Sequence, residues 1–558
     1  MMNMHIYQKM VSTITVLMIA TVMLLPTSID ATGVQRSNGT TTYGPTDTIE
    51  WMNDAERSTG VQGPQIVWNR TFGTIKWDEC SALELSPEGG FAFAGTTNAN
   101  GYDNGGDCWL VHTDTNGDLL WQNTYGGASS DTGTDLCRTS DGGYGLIGYT
   151  RSYGAGGSDV YLIKTDANGM ELWNKTFGGA MDDHGLAIQQ CGDGGFILAG
   201  ATQSYGAREA WLIKTDAAGA MQWQQRFCGT RPPGGYFMTV LRTAQEEYVA
   251  AGRNYLGQTS DIIVVKTTQD GTVLWEKLLG DSSCKDSALG IASTSDGNYI
   301  ITGQREHEAT EHDILLMKIN SEGEELWTRT FNETTYFDTG LSVTETTDGG
   351  FLVAGEIGTT ESTPTVTDAI LIKTDGDGRK EWHMTLGGSG SESFYDALQT
   401  PDGGYITGGL TTSYGAGSQD AWVLKCTAYE NQPPDTPDTP SGQASGKIKQ
   451  LYFYTTQTEE PDGDELFYLW DWGDGTTSGW IGPYNSGVTC NTSHSWSTKG
   501  TYQIQVKAKD PYGGESDWAT LTVTMPCSYN LPMIPLWEHL LQRFPHLFPL
   551  LRVLLGKL

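Results

Sequence analysis

Two stretches of this sequence gather side chains of the kind that hold metal ions. In "REHEATEHD", residues 305–313, His307 and His312 stand among Glu306, Glu308, Glu311 and Asp313; imidazole and carboxylate together suit a divalent transition metal. In "PDGD", residues 461–464, Asp462 and Asp464 flank a glycine, and two carboxylates on a tight turn suit a hard cation such as Ca2+. Both stretches read equally well as solvated acidic loops, and no other cofactor is implied. A third set is aromatic. Tyr102, Tyr153, Tyr205, Tyr255 and Tyr414 recur in "GYDNGGD", "RSYGAGGSD", "QSYGAREA", "NYLGQTSD" and "TSYGAGSQD". Rings repeated on loops offer platforms for sugar rings or a peptide; equally, each covers the edge of its own sheet. Nothing matches a nucleophile elbow, an HExxH helix or a phosphate-cradling loop. The nine cysteines include no CxxC pair, which leaves a zinc or redox site without support. The expectation is a binding protein rather than an enzyme, although loops far apart in sequence can still assemble a catalytic set.

The elements that position these residues are repeats. Trp68, Trp121, Trp173, Trp223, Trp275, Trp327 and Trp382 recur at spacings of 53, 52, 50, 52, 52 and 55 residues, the signature of a propeller or another repeat array. Turns such as "SDGGY", "TDGGF" and "PDGGY" keep step with them, as do runs such as "DVYLIK", "DIIVVK" and "DAWVLK". Each unit holds four strands, which for the unit ending at Trp173 read 135–139, 144–149, 159–164 and 171–176. Short glycine-bearing turns join the first to the second and the third to the fourth, as antiparallel neighbours require. The nearly unbroken apolar third strands need cover on both faces. The first tryptophan strand precedes the first GG turn, and the last "WVLK" run has no tryptophan strand after it. The N-terminal strand therefore closes the last unit, which removes the edges of an open array. The expected fold is all-β, a seven-bladed β-propeller over residues 65–427. The two–three loops and the blade-to-blade loops then share one face. Lys164, Lys214, Lys266, Lys318, Lys373 and Lys425, with His112 in the seventh place, repeat too often for a substrate site and read as ion pairs round the ring.

Residues 428–446 form a Pro/Ser/Gly linker. The segment 447–526 alternates apolar and polar residues like a small β-sandwich. Through "WDWGDG", "SHSW" and "GTYQIQVKAKDPYGG" it resembles PKD domains, Ig-like modules of surface proteins, with an inserted loop "SGWIGPYNSGVTCNTS". That resemblance implies a spacer or an interaction module. The blade pattern itself resembles exported microbial surface propellers. The run "KTDANGMELW" is similar to the docking motif of quinoprotein propellers and to the sialidase Asp box, with other spacings; both stabilise blade turns and imply no catalysis.

Residues 1–31 read as a signal peptide and 32–64 as a polar linker, so the protein is expected outside the cell or at its surface. The tail 527–558 is amphipathic, helical in spacing, broken by Pro545 and Pro549 and locally basic; it suits a membrane surface, a sorting machinery or a partner. Asn38, Asn69, Asn174, Asn332 and Asn491 head glycosylation sequons. A net charge of −34 repels nucleic acid. The expected partner is a glycan or a surface protein. The alternatives are an extracellular lyase, hydrolase or quinoprotein-like enzyme with its site in the funnel, and a structural surface-layer component.

Overall fold

The computed structural model describes residues 63–526, apart from 88, 99–104, 228–233, 257–258, 282–283, 309–310, 360–365 and 430. The leader, the C-terminal tail, Asn38 and Tyr102 lie outside the described residues. Every regular element among those described is a β-strand.

Seven four-stranded antiparallel sheets follow one another. Sheet 1 is Asp78–Leu85, Phe91–Thr97, Asp107–Thr113 and Leu119–Tyr125; sheet 2 is Asp131–Arg138, Tyr144–Thr150, Asp159–Thr165 and Glu171–Phe177. Sheet 3 is Asp183–Gln190, Phe196–Thr202, Glu209–Thr215 and Met221–Phe227; sheet 4 is Gly235–Arg242, Tyr248–Leu256, Thr259–Thr267 and Val273–Leu279. Sheet 5 is Lys285–Ser293, Tyr299–Glu308, Glu311–Ile319 and Glu325–Phe331; sheet 6 is Asp338–Glu345, Phe351–Gly358, Thr367–Thr374 and Lys380–Leu386. Sheet 7 is Glu392–Gln399, Tyr405–Thr411 and Asp420–Cys426, and its fourth strand is the N-terminal Ile66–Phe72, in register Trp68↔Lys425 and Phe72↔Ala421. A single parallel pairing, Ser260↔Lys285, ties sheets 4 and 5.

The first strands of consecutive sheets lie side by side, and that of sheet 7 lies against that of sheet 1, so the packing circuit closes. The closure is by packed sheets; no hydrogen-bonded barrel runs through the described residues. Trp68, Ile406, Ala421 and Val423 of sheet 7 share one buried cluster with Phe93, Trp109 and Val111 of sheet 1. Asp396 Oδ2 accepts the Leu83 N–H at 2.9 Å across the same seam. Both faces of each sheet are covered by neighbours. This explains why third strands such as Asp159–Thr165 are buried along their whole length and lack polar alternation.

Two devices repeat between neighbouring elements. The tryptophan of each fourth strand lies against the glycine of the next sheet's three–four turn: Trp68 on Gly117, Trp121 on Gly169, Trp173 on Gly219, Trp223 on Gly271, Trp275 on Gly323 and Trp327 on Gly378. Gly219, at φ +77°, takes a left-handed turn where a Cβ would also strike the indole. Trp223 and Trp275 donate their indole N–H to Gln269 O and Ser321 O at 2.9 and 3.1 Å. The repeated lysines form the second device. Lys164, Lys214, Lys266, Lys318, Lys373 and Lys425 pair at 2.7–2.9 Å with Asp141, Asp193, Glu247, Asp296, Asp348 and Asp402 of the one–two turns. His112 instead stacks on Trp121, centroids 5.1 Å apart.

Sheet 7 has no three–four turn, because its fourth strand comes from the N-terminus. Trp382 packs there against Tyr429 of the linker, 6.1 Å between centroids. The linker leads into a sandwich of two sheets, three-stranded and four-stranded, around Trp470, Trp472 and Trp496. The Trp496 indole donates to Trp472 O at 3.1 Å. The inserted loop supplies the strand Thr477–Tyr484, which pairs with Leu466–Asp471.

Candidate functional site

Three neighbouring rows cross the start of the first strand and the end of the second in every sheet, and they differ in how well they repeat. One row places Gly95, Gly148, Gly200, Gly252, Gly303, Gly355 and Gly409 on the second strands. A Cβ on any of them would collide with a first-strand carbonyl oxygen where that strand bulges. The outermost row is mostly acid opposite threonine: Asp78/Thr97, Asp131/Thr150, Asp183/Thr202 and Glu392/Thr411. Each of these threonine hydroxyls donates to its acid. The acids of sheets 2, 3 and 7 also accept N–H groups of the preceding loop, Gly127, Gly179 and Gly388, at 2.8 Å.

Between them lies a row that does not repeat. Its pairs are Glu79/Thr96, Thr132/Tyr149, His184/Ala201, Tyr236/Arg253, Ser287/Gln304, Thr339/Glu356 and Ser393/Leu410. A bulge adds twist and re-aims the side chains beside it, and here one follows the row in every sheet. Tyr149, His184, Tyr236, Arg253, Gln304 and Glu356 are half-buried, neither packed away nor fully solvated. Ring contacts and hydrogen bonds join the row across sheets. Tyr149 and His184 stand 4.4 Å apart by ring centroids, His184 Nε2 lies 2.8 Å from Ser158 Oγ, and Ser158 donates to Asp182 Oδ1 at 3.1 Å. Tyr236 meets Tyr255 at 6.0 Å, and the Arg253 guanidinium sits 5.1 Å over the Tyr255 ring.

The row also shifts protonation. Burial, then the Arg208 charge, push the His184 imidazole down to about 4, so it is neutral at pH 7. Burial pushes the Glu79 and Glu356 carboxyls up to about 7, where each still holds a proton to donate. Neutral imidazole, protonated carboxyls, phenols and guanidinium are the hydrogen-bonding groups a carbohydrate's hydroxyls use.

The loop tyrosines of this face have partners within the chain. Tyr153 and Tyr414 donate their hydroxyls to Gly126 O and Gly387 O at 2.7 Å. Their rings stand 5.8 and 5.9 Å from Tyr161 and Trp422. Tyr205 packs 6.5 Å from Trp211 under the Arg226 guanidinium. Only Tyr255 reaches the non-repeating row directly. The opposite face carries a polar cavity of about 650 Å³ lined by Glu84, Arg138, Gln190 and Arg242 among others.

The two metal expectations come out differently. The histidine stretch is not an open loop: Glu306 and His312 face each other across the hairpin Tyr299–Glu308/Glu311–Ile319. His312 leans on Phe337 at 4.4 Å, and its Nε2 is 3.9 Å from Glu306 Oε2. Burial pushes its imidazole down to about 4. Among the described residues one group alone brings three ligand oxygens together: Glu460 joins Asp462 and Asp464, all buried, within 4.8 Å of one another. Glu460 Oε1 and Asp464 Oδ2 lack hydrogen-bond partners. Burial, then Glu460, Asp462 and Asp510, push Asp464 up to about 7. A buried carboxylate cluster with orphaned oxygens fits a hard cation. Glu460 escaped the sequence reading because it precedes the Gly-bearing turn. The linker grips the same cluster: Tyr429 Oη donates to Asp462 Oδ2 at 3.3 Å and Gln432 N–H at 2.6 Å. Of the sequons, Asn332 and Asn491 are exposed, whereas Asn69 and Asn174 sit half-buried on fourth strands.

Residues 443–523 match the PKD domain family. The collagenase ColA of Bacillus cereus is 34% identical over 77 residues, 14% of this chain and 7% of that protein. The PKD domain of an M14-like peptidase from a Thermoplasmatales archaeon is 48% identical, covering 18% of this chain and all of that one, with a TM-score of 0.17. A β-1,2-mannobiose phosphorylase from Listeria innocua is 11% identical over 66% of this chain and 92% of its own, with a TM-score of 0.27. The expectation of a protein without enzymatic activity is corrected by this likeness to an enzyme. At that identity and score the likeness names no reaction for this chain.

Proposed function

We propose that the protein is an extracellular carbohydrate-active protein, a seven-bladed β-propeller whose loop-bearing face takes a glycan, held away from its attachment point by a PKD module. The closed circuit of first strands supports the propeller. The matched PKD domain and the signal-like leader support an extracellular setting. One observation carries the glycan reading: between two rows that largely repeat lies one that does not, and it sets six half-buried polar and aromatic side chains, Tyr149, His184, Tyr236, Arg253, Gln304 and Glu356, on that face. Positions that serve the fold recur in every sheet; positions that meet an asymmetric ligand differ. The tyrosine loops form the rim of this site. Glu460, Asp462 and Asp464 hold Ca2+ and fix the module to its linker.

Catalysis on the glycan is the second reading. It is favoured by Glu79 and Glu356, whose carboxyls burial raises to about 7, and by a neutral His184 in the same row, groups of the kind that act as acid and base in proton transfer. The test is a glycan array on the intact protein with Tyr149→Ala and Tyr236→Ala variants, followed by product analysis of every glycan bound. Binding lost in these variants with the melting temperature kept supports the reading. Array signal unaltered by them, with Tyr153→Ala or Tyr414→Ala abolishing it, moves the site to the rim.

A further inference from the structure

With 67 acidic residues against 33 Lys and Arg, most of the described cations in the seven sheets have an acidic partner at ion-pair distance. The six repeated lysines all have one, and so do Arg70, Arg226, Arg242, Arg305 and Arg379. Arg151, Arg208 and Arg253 have no carboxylate at ion-pair distance among the described residues, and they belong to three successive sheets at the loop-bearing end. Arg151 follows the second strand of sheet 2, Arg208 precedes the third strand of sheet 3, and Arg253 stands in the non-repeating row of sheet 4.

The three act on common neighbours. The charges of Arg208 and Arg151 both bear on His184, and those of Arg253 and Arg208 both bear on Tyr255. Arg253 Nε donates to Ser260 Oγ at 2.8 Å, which fixes its fork without neutralising it. Asp182 is the acid within electrostatic reach of Arg208, but its Oδ1 already accepts Ser158 N–H and Oγ–H at 3.0 and 3.1 Å. Arg208 and Arg253 are half-buried while Arg151 is exposed, and burial of a cation without a counter-charge is unfavourable. The repeat does not require Arg253 either, since Thr96, Tyr149, Ala201, Gln304, Glu356 and Leu410 stand at its position in the other six sheets. What the arrangement lacks is an anion, and guanidinium forks match carboxylate and sulfate oxygens in pairs.

We propose that Arg151, Arg208 and Arg253 form the anion-binding half of the site, and that the glycan taken there carries carboxylate or sulfate groups. This rests on the carbohydrate reading above and adds the chemical class of the ligand. The strongly negative remainder of the protein repels a polyanion, so these arginines also fix where on the surface it settles. Gln304, Thr339 and Glu356, on the far side of the row, are left for hydroxyls.

The experiment is calorimetric titration of the intact protein with three oligosaccharide series of equal length: oligogalacturonates, sulfated galactan oligosaccharides and neutral xylo-oligosaccharides, each at low and high salt. One anionic series is expected to bind at least tenfold tighter than the neutral one and to weaken as salt rises. Which series does so separates carboxylate from sulfate. Arg208→Gln and Arg253→Gln are each expected to lower that affinity tenfold or more with the melting temperature kept. Arg329→Gln, which alters an equally unpaired arginine on a fourth strand, is expected to leave it unchanged. Neutral sugars bound as tightly as anionic ones, or arginine variants that bind like wild type, overturn the anionic class and leave the carbohydrate reading standing. No binding of any series, with a silent glycan array, overturns both.

Discussion

The periphery of the ring and the end where its first strands begin and its second strands finish are built from the same repeating unit, yet they treat the repeat in opposite ways. At the periphery six of the seven sheets place a tryptophan against the next sheet's turn glycine, and six set a lysine against a turn acid. Next to the bulge, the glycine row is as strict as anything at the periphery. One residue further the pattern dissolves into Glu79, Thr132, His184, Tyr236, Ser287, Thr339 and Ser393. The difference teaches that the fold's requirements lapse in one row, although the acid–threonine row beyond it repeats in four sheets. That intervening row is free to answer to something other than stability.

That contrast breaks most visibly at the periphery. Lys214 is fully buried beside Asp193, 2.7 Å away, and Asp193→Ala leaves the ammonium without its counter-charge. Asp193 is itself exposed on its turn, so the loss is expected at the low end for a buried charge, about 3 kcal/mol, measurable by denaturant unfolding, and Asp193→Ala/Lys214→Met is expected to recover most of it. Of similar size is the effect at the glycine row. The Cβ of Gly200→Ala strikes the His184 carbonyl oxygen, an overpacking expected to remove about 3 kcal/mol. By contrast Gln304→Ala, one position beyond that row in sheet 5, should alter stability by no more than about 0.5 kcal/mol while weakening ligand binding. Equal stability losses at Gly200 and Gln304 would erase the distinction.

The two regions also respond to pH with opposite sign. Lys425, then Thr400, hold the peripheral Asp402 at about 2. A depressed carboxyl stabilises the fold above its unfolded value near 3.8, and that contribution is lost as pH falls towards 2. Glu79 and Glu356 are raised from 4.5 to about 7. Their contribution is complete below pH 4.5 and is lost as pH rises through 7. The melting temperature is therefore expected to rise as pH drops from 8 to about 5.5 and to fall again below about 4. In Glu79→Gln/Glu356→Gln the upper limb flattens. A melting temperature that climbs steadily to pH 8 is incompatible with buried, protonated Glu79 and Glu356.

A further expected effect concerns the sandwich. Ca2+ at a hundredfold excess over its dissociation constant adds about 2.7 kcal/mol to whatever unit binds it. In the intact chain this should appear as a later unfolding step of the module alone, absent in Asp464→Asn. A shift of the ring's transition instead would place the cation elsewhere.

Much of this was legible in the sequence, for a physical reason. Tryptophans, turn glycines and lysines serve contacts every sheet must make, so they recur and periodicity finds them. The pairing of Ile66–Phe72 with the last run follows from the phase offset alone. The non-repeating row was hidden by the same logic, because a search for recurrence passes over what does not recur. The bulge hid it further. The sequence reading starts the first strand of sheet 2 at Asp135, whereas the structure starts it at Asp131, and those four residues contain Thr132. The loop tyrosines drew attention because they repeat, and the hydroxyls of Tyr153 and Tyr414 reach Gly126 O and Gly387 O on the loops that lead in from the preceding sheets. At the sandwich, Asp462 and Asp464 were visible as a turn, while Glu460 needed the fold to bring it in.

The central claim is that ligand recognition belongs to the row where the repeat fails. A crystal structure of the intact protein with a bound oligosaccharide tests it most directly. The account predicts sugar oxygens within hydrogen-bond distance of His184, Arg253 and Glu356. A saccharide seated instead in the cavity of Glu84, Arg138, Gln190 and Arg242 on the opposite face would contradict it.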